Sequence, residues 1–291
     1  MTNIIMKPYS LFILSFFMIF NISCTHKSGS LVDISISKAT PIFETYTNIV
    51  YGEDSLEQSF DMYLPAHRDR NNTGVIIFIH GGGWSGGVKD DFNGLGMDTF
   101  FTQKNYAVLT INYRLINKYP YPSALDDIGH VIDYIDQHAD IWNVNSSAIC
   151  LFGRSSGAHL ALLYAYTRNS DHRIKAVVDC FGPSDLTASN IINGQLRPFL
   201  EAMLGPYVYN DMAWHDASPI YHLSGAIPTA IMQGTADSLV PSSQSITLQD
   251  SLLIRSIPSI YLSWQGNGHG WSQTRWLENR NVIVAWLKNY M

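Results

Sequence analysis

Residues 153–157, Gly-Arg-Ser-Ser-Gly, decide the fold class of this 291-residue chain. They directly follow the apolar run 148–152, and a helix-forming stretch, 158–166, comes next. G-x-S-x-G between a strand and a helix is typical of a sharp turn that lifts a serine side chain clear of a parallel sheet. The residues two before and two after that serine must be very small. Ser155 satisfies this rule, whereas Ser156 has an arginine two positions before it.

Short apolar runs recur on both sides of this turn and are typical of strands buried on both faces of a sheet. The stretches between these runs have apolar residues at the spacing of a helix, as in residues 122–139. Strands that alternate with helices predict an α/β fold with a mostly parallel sheet. Two earlier extended runs predict an antiparallel edge because their apolar residues alternate. The edge runs are about 42–51 and 57–64, and the others are 75–79, 107–111, 148–152, 176–178, 229–232 and 257–264.

Two aspartates, Asp126 and Asp127, fall in the first turns of the predicted helix 122–139. We expect them to cap the helix or to face solvent, because carboxylates favour helix N-termini. Tyr113 and Arg114, just before this helix, are expected to be structural rather than substrate-binding.

The first 23 residues are expected to be a signal peptide. One charge, Lys7, precedes an apolar run of ten residues, 11–20. Ten residues rise about 15 Å as a helix, which is too short for the roughly 30 Å hydrocarbon core of a membrane. A basic start, a short apolar core and small residues after it indicate a secretory signal.

The end of this leader resembles a bacterial lipoprotein signal, with Cys24 as the lipidated residue. The departure from that motif is Asn21, where leucine is usual. Residues 24–40 are polar and small and are expected to be a tether. The sequence therefore predicts a protein of the cell envelope whose membrane contact is a lipid anchor. The alternative is ordinary secretion or a periplasmic location.

Residues 41–291 are expected to form one domain, because an α/β unit of about 250 residues can fold as one. Residues 183–226 break the alternation of strands and helices, since they contain four prolines and several aromatic residues. We interpret this segment as a small cap-like insertion over the carboxyl edge of the sheet.

Composition excludes several classes of protein. A chain that is 46% hydrophobic can bury enough surface to fold, so disorder is excluded. The pI of about 5.9 does not suit a nucleic-acid binder with a strongly basic surface.

Three cysteines are too few for a disulfide scaffold. Cys150 and Cys180 fall in predicted strands and are expected to be small buried hydrophobes. No C-x-x-C or H-E-x-x-H pattern occurs, so no metal site is predicted.

A serine hydroxyl becomes a nucleophile only when a base takes its proton. In this architecture the base is a histidine that follows the acid in chain order. His269 lies in a glycine-rich loop just after the last predicted strand, and Asp237 follows the strand before it. Both side chains should therefore meet Ser155 at the carboxyl edge of the sheet. His159, one helical turn after Ser155, is expected to be a packing or hydrogen-bonding residue of its helix.

A glycine-rich stretch, His80-Gly-Gly-Gly-Trp84, follows the predicted strand 75–79. Successive glycines let backbone N–H groups approach a ligand without obstruction. The same stretch matches the dinucleotide pattern G-x-G-x-x-G, but that site requires an acidic residue about 20 positions further on. The next strand ends in Asn112-Tyr-Arg instead, so a dinucleotide site is rejected.

From about Tyr51 to the C-terminus, the chain resembles α/β-hydrolases of the hormone-sensitive-lipase and bacterial feruloyl/acetyl esterase (BD-FAE-like) type. Gln233, where these enzymes often have histidine, and Ser156, where they commonly have alanine or glycine, are small departures. The marks of the resemblance are His80-Gly-Gly-Gly-Trp, Asn112-Tyr-Arg, Gly153-Arg-Ser-Ser-Gly-Ala-His, Ala217-Ser-Pro, Gly234-Thr-Ala-Asp and Gly268-His-Gly.

The resemblance implies an α/β-hydrolase fold with an eight-stranded, mostly parallel sheet, and ester hydrolysis without metal or cofactor. It implies that the N–H groups of Gly82, Gly83 and Ser156 bind the oxyanion that forms during acyl transfer. Trp84 is expected either to line the acyl pocket or simply to pack.

The expected function is that of a serine carboxylesterase with Ser155, His269 and Asp237 as its catalytic residues. Its substrate is expected to be a small-molecule or oligosaccharide ester with a short or aromatic acyl group, such as acetyl or feruloyl groups on plant polysaccharides. One alternative is an amide hydrolase, such as an arylformamidase or a small peptidase. Another is a binding protein on an inactive hydrolase fold.

Overall fold

The computed structural model describes residues 43–92, 95–207, 212–270 and 272–291. The predicted signal peptide, Cys24 and the tether lie outside these residues. The strands are β1 Phe43–Val50, β2 Ser59–Pro65, β3 Val75–Ile79, β4 Ala107–Ile111, β5 Ile149–Arg154, β6 Ile174–Cys180, β7 Thr229–Gly234 and β8 Ser259–Trp264. The helices are α1 Met97–Thr102, α2 Ser123–Trp142, α3 Ser156–Thr167, α4 Ser189–Ile192, α5 Arg197–Leu204, α6 Met212–Asp216, α7 Ser243–Ile254 and α8 Gln273–Leu287, with 3₁₀ turns at Lys89–Phe92 and Pro219–Gly225.

The eight strands form one sheet in the order β1-β2-β4-β3-β5-β6-β7-β8. Strand β2 pairs antiparallel with both β1 and β4, and all the other pairs are parallel. The predicted fold class is therefore confirmed, including the antiparallel edge. Because β5, β6, β7 and β8 are parallel neighbours, their carboxyl ends meet at one edge of the sheet.

Successive side chains of each inner strand point to opposite faces of the sheet, so that two apolar cores form, one on each face. In β3, Ile77 and Ile79 pack with residues of α2 and α3, whereas Phe78 packs with residues of α1 and α8. The ring centre of Phe78 lies 5.8 Å from that of Phe101 in α1. Both faces are thus covered, which explains why the strand sequences are apolar runs without polar alternation.

The segment 183–226 leaves the sheet after β6 and returns at β7. In its described part it contains the short helices α4, α5 and α6 and the 3₁₀ turn Pro219–Gly225. Leu196 and Phe199 from this segment line the cleft that contains Ser155. The insertion therefore supplies part of the cleft wall above the carboxyl edge.

The prediction that Asp126 and Asp127 cap α2 or face solvent is wrong for Asp127. Its side chain is 0% exposed and forms an ion pair with Arg114 at 2.8 Å. It also accepts a hydrogen bond from Gln58 Nε2 at 2.7 Å. Asp126 is partly exposed and pairs with Arg168. The buried pair joins the segment after β4 to α2, which agrees with the structural role predicted for Arg114.

Candidate active site

Ser155 lies on a tight turn between β5 and α3. Its backbone has φ 52° and ψ −120°, a region that costs about 1–3 kcal/mol for a residue other than glycine. The turn also brings two glycines too close to their neighbours for any side chain. A Cβ atom on Gly153 would lie 2.3 Å from the oxygen of Gly157, and one on Gly157 would lie 2.2 Å from the oxygen of Ile79. The G-x-S-x-G spacing is therefore a steric requirement of this turn.

Three side chains from different loops form one hydrogen-bonded row. Ser155 Oγ lies 2.9 Å from His269 Nε2, and His269 Nδ1 lies 2.8 Å from Asp237 Oδ2. The three residues follow β5, β8 and β7, so the parallel sheet brings them to one edge although 114 residues separate Ser155 from His269.

Asp237 is held in its ionised form by hydrogen-bond donors. Its Oδ1 accepts the N–H groups of Leu239 and Val240, both at 2.9 Å, and its Oδ2 accepts Gln233 Nε2 at 3.0 Å. Burial alone would raise the pKa of Asp237, but His269 and these donors hold the pKa below its usual range. An ionised Asp237 accepts a hydrogen bond from His269 Nδ1–H, which leaves Nε2 free to accept a hydrogen bond from Ser155.

The glycine-rich stretch after β3 passes beside this row. Gly82 and Gly83 have positive φ angles of 114° and 61°. A Cβ atom on Gly82 would lie 2.2 Å from the oxygen of Gly86, so this position excludes a side chain. Among the described residues, no backbone acceptor binds the N–H groups of Gly82, Gly83 or Ser156. All three residues line the cleft, where these donors are available to a ligand.

His80, which was not singled out from the sequence, fixes the start of this stretch. Its ring stacks on Tyr113 with centres 4.2 Å apart, and Tyr113 Oη donates to the oxygen of His80 at 3.0 Å. Burial lowers the pKa of His80 to about 4, so the ring is neutral and its Nδ1–H donates to the oxygen of Gly81 at 2.7 Å. The pair supports the glycines without adding charge to the cleft.

Trp84 is both a packing residue and part of the cleft wall. It is only 1% exposed, and its Nε1–H donates to His159 Nδ1 at 3.2 Å. His159 Nε2 in turn donates to the oxygen of Ala217 at 2.7 Å. Burial lowers the pKa of His159 to about 4, so a neutral ring joins the two. The expectation that His159 is a packing or hydrogen-bonding residue agrees with these contacts, which link the glycine-rich stretch to the insertion.

The cleft around Ser155 has a volume of about 500 Å³. Besides Trp84, five of its side chains are apolar, and they come from the insertion, from the loop after β6 and from the loop after β7. Two charged side chains, Arg154 and Asp91, also reach it. The five apolar residues are Phe181, Pro183, Leu196, Phe199 and Leu239.

Asp179, near the end of β6, is another buried carboxyl group, and it was not singled out from the sequence. Its Oδ1 accepts the N–H of Gly182 at 2.8 Å, and its Oδ2 has no hydrogen-bond partner among the described residues. Burial raises its pKa to about 7. No sequence signal marks this state, because it depends on the donors that are missing around the carboxyl group.

Three further observations concern the described residues alone. No cluster of histidine, cysteine, aspartate or glutamate in them has a geometry that could hold a metal ion. Cys150 and Cys180 are free and buried, and burial raises both thiol pKa values. None of the helices in this part of the chain is long and apolar enough to span a membrane.

An eight-stranded, mostly parallel sheet with a serine on a strained turn between its strand β5 and the following helix defines the class of the α/β-hydrolases. The BD-FAE family model matches residues 60–252, about two thirds of the chain, and the chain belongs to this family.

The chain is also similar to curated relatives and to solved structures. The chain is 28% identical over 220 residues to the probable carboxylic ester hydrolase LipM of Mycobacterium tuberculosis, a match that covers 70% of this chain and 51% of LipM. The chain thus spans about half the length of that relative. It is 28% identical over 224 residues to the kynurenine formamidase of Meyerozyma guilliermondii, covering 72% of this chain and 81% of that protein. A truncated carbohydrate esterase from gut microbiota has the same fold, with a TM-score of 0.72, 22% identity, and coverage of 85% of this chain and 98% of that one.

Proposed function

We propose that this protein is a serine carboxylesterase. The observation that carries the proposal is the hydrogen-bonded row of Ser155, His269 and Asp237 on a strained strand-to-helix turn. A serine held against a histidine that a buried carboxylate orients is the arrangement that activates a hydroxyl for attack on a carbonyl. The name of LipM, a probable carboxylic ester hydrolase, supports the reaction class.

In the first half of the proposed reaction, Ser155 Oγ attacks the acyl carbonyl while His269 Nε2 takes its proton. Negative charge develops on the carbonyl oxygen. The free N–H groups of Gly82, Gly83 and Ser156 stabilise that charge, and the N-terminus of α3 adds its dipole. His269 then gives the proton to the leaving alcohol.

In the second half, water enters the place that the alcohol has left. His269 takes a proton from this water, which attacks the acyl-enzyme carbonyl, and the same N–H groups stabilise the second oxyanion. Collapse of this intermediate releases the acid and returns the proton to Ser155. Asp237 stays ionised throughout and stabilises the His269 cation.

For the substrate, we propose esters of short or aromatic acyl groups, including acetyl or feruloyl groups on plant polysaccharides. The cleft supports this proposal because it is mostly apolar and holds about 500 Å³. Membership of the BD-FAE family and the fold shared with a carbohydrate esterase also support it.

The direct test compares two adjacent serines. Ser155→Ala should reduce kcat on p-nitrophenyl acetate by about 10⁴-fold or more, because the nucleophile is lost. Ser156→Ala is the matched control, since its N–H remains and its Oγ has no hydrogen-bond partner in the described structure. We expect it to keep most of the wild-type activity. Full activity in Ser155→Ala would overturn the proposed mechanism.

An amide hydrolase is the second candidate, because the similarity to a kynurenine formamidase covers 81% of that enzyme. Purified protein should be compared on p-nitrophenyl acetate, methyl ferulate and N-formylkynurenine. A carboxylesterase has its highest kcat/KM on the esters. A higher kcat/KM on N-formylkynurenine would replace the ester assignment with an amidase.

We also propose that the protein is anchored to the cell envelope through a lipid on Cys24. The apolar run 11–20 and the small residues before Cys24 support this proposal. In cells that process lipoproteins, the wild-type protein should enter the detergent phase of a Triton X-114 partition, whereas Cys24→Ala should remain in the aqueous phase. Equal partitioning of both would favour ordinary secretion or a periplasmic location.

A further inference from the structure

Arg154 immediately precedes Ser155 and lines the same cleft, yet the proposed mechanism does not use its side chain. Its Nη1 donates to the main-chain oxygen of Asp91 at 3.1 Å. The guanidinium carbon lies 5.3 Å from the ring centre of Phe92. These two contacts hold the cation beside the cleft without neutralising it.

The charge of Arg154 is not compensated at contact distance. In the described part of the chain no carboxylate lies within 4.0 Å of its guanidinium, and its buried Nε has no hydrogen-bond partner. A guanidinium carries five N–H donors in a planar fork. A cation with unused donors that is fixed beside a reactive serine is suited to bind an anion in the cleft.

The other charges that line the cleft are few. Asp91 is exposed, and its Oδ2 accepts the N–H of Val88 at 3.3 Å. His269 belongs to the hydrogen-bonded row. Among the described lining residues, Arg154 is the one lysine or arginine. The two charged residues outside the row therefore have opposite signs, and they should influence an anionic substrate in opposite directions.

We propose that Arg154 binds a carboxylate on the substrate, so that the protein prefers esters with a carboxylate on the acyl or the alcohol part over neutral esters of similar shape. This inference rests on the proposed esterase function. Arginine and carboxylate pair through two parallel hydrogen bonds, which add orientation to attraction. The net charge of −6 repels anions at long range, so this recognition is local to the cleft.

The experiment measures kcat/KM on two matched pairs of esters at neutral pH. Mono-4-nitrophenyl succinate and 4-nitrophenyl butyrate differ by a carboxylate on the acyl side. Acetoxybenzoate and its methyl ester, both para-substituted, differ on the alcohol side. For each pair the ratio of the anionic to the neutral ester is the readout, because a general loss of activity cancels in it.

Arg154→Gln should lower this ratio by about 10- to 100-fold on one of the two pairs, the range for a charge-assisted hydrogen bond. The pair that responds identifies the side of the ester that carries the carboxylate. Arg154→Lys should give an intermediate ratio because it keeps the charge but loses the fork. Asp91→Asn should raise the ratio, since it removes the opposing charge and keeps the main-chain acceptor.

An unchanged ratio in Arg154→Gln, with normal hydrolysis of the neutral esters, would overturn this inference and leave the proposed function intact. Failure of the wild-type protein to hydrolyse any of the four esters would instead count against the proposed function. If Arg154→Gln does not melt cooperatively, the opposite shifts expected for Arg154→Lys and Asp91→Asn decide the question.

Discussion

Asp179 lies near the carboxyl end of β6, and Asp237 follows the neighbouring strand β7 at the same edge of the sheet. Both residues are buried. Asp237 accepts hydrogen bonds from two backbone N–H groups, a glutamine and His269, and its pKa is lowered. Asp179 accepts a single bond, from Gly182, and its pKa is raised to about 7. Burial raises the pKa of Asp179 because a single donor does not offset it, whereas His269 and the donors around Asp237 outweigh the effect of its burial.

This difference separates two kinds of buried carboxyl group in one protein. An ionised Asp237 can orient His269 and stabilise its cation. A carboxyl group that is mostly protonated below pH 7 cannot do so, even at the same edge of the sheet. The comparison can be tested by making the same substitution at both positions and by changing the donors around one of them.

The largest effect is expected from Asp237→Asn. The amide can donate to His269 Nδ1, which favours the tautomer that cannot accept a proton from Ser155. We expect kcat on p-nitrophenyl acetate to fall by about 10³- to 10⁴-fold, by analogy with triads of this kind. Asp179→Asn is the matched control and should leave kcat close to the wild-type value. Similar losses in both variants would show that the edge as a whole, and not the ionised carboxylate, supports activity.

A smaller effect is expected when Asp237 loses a single donor. Gln233→Leu removes the hydrogen bond from Nε2 to Oδ2 and should raise the pKa of Asp237. We expect kcat to fall by about tenfold, which corresponds to one hydrogen bond to a charged group. Gln233→His restores a donor at this position and should recover part of the loss. A leucine variant with wild-type kcat would show that the remaining donors are sufficient.

A third effect concerns stability rather than turnover. Because the folded pKa of Asp179 is raised, the folded protein holds a proton that the unfolded chain releases above about pH 4. The contribution of Asp179 to stability is therefore complete below about pH 4 and is lost as the pH rises to about 7, at about 1.4 kcal/mol per pH unit. Asp237 has a lowered pKa, and its contribution is lost only at lower pH.

Urea denaturation of the wild-type protein and of Asp179→Asn at pH 4.5 and pH 7 measures this contribution. The free energy of unfolding should decrease more steeply with pH in the wild-type protein than in the variant, because asparagine does not titrate. Parallel changes in the two proteins would mean that Asp179 is ionised in the folded state across this range.

The sequence was sufficient to predict the parts of the protein that local rules determine. The apolar runs predicted the strands because both faces of the sheet are covered. Gly153 and Gly157 singled out Ser155 because no larger residue fits that turn. Chain order and strand ends then selected Asp237 and His269, which the structure places within hydrogen-bond distance.

Features that depend on distant segments could not be predicted in this way. Asp127 has the local pattern of a solvent-facing helix residue, but Gln58, 69 positions away, and Arg114 bury it. The raised pKa of Asp179 depends on its burial and on the scarcity of donors around it, which no motif records. Arg154 contacts the main chain of Asp91 and the ring of Phe92 in the Lys89–Phe92 turn, and neither contact neutralises its charge. From the sequence alone, this arginine was only a bulky neighbour of Ser155.

The central claim is that Ser155 is a nucleophile activated by His269 and Asp237. Intact-mass spectrometry after treatment with a fluorophosphonate tests it directly, because this reagent forms a covalent adduct with an activated serine. We expect one adduct per chain, located at Ser155 by peptide mapping, and no adduct in Ser155→Ala. A wild-type protein that stays unmodified would contradict this claim and would favour a binding protein on an inactive hydrolase fold. An adduct that persists in Ser155→Ala would contradict the assignment of Ser155 as the nucleophile.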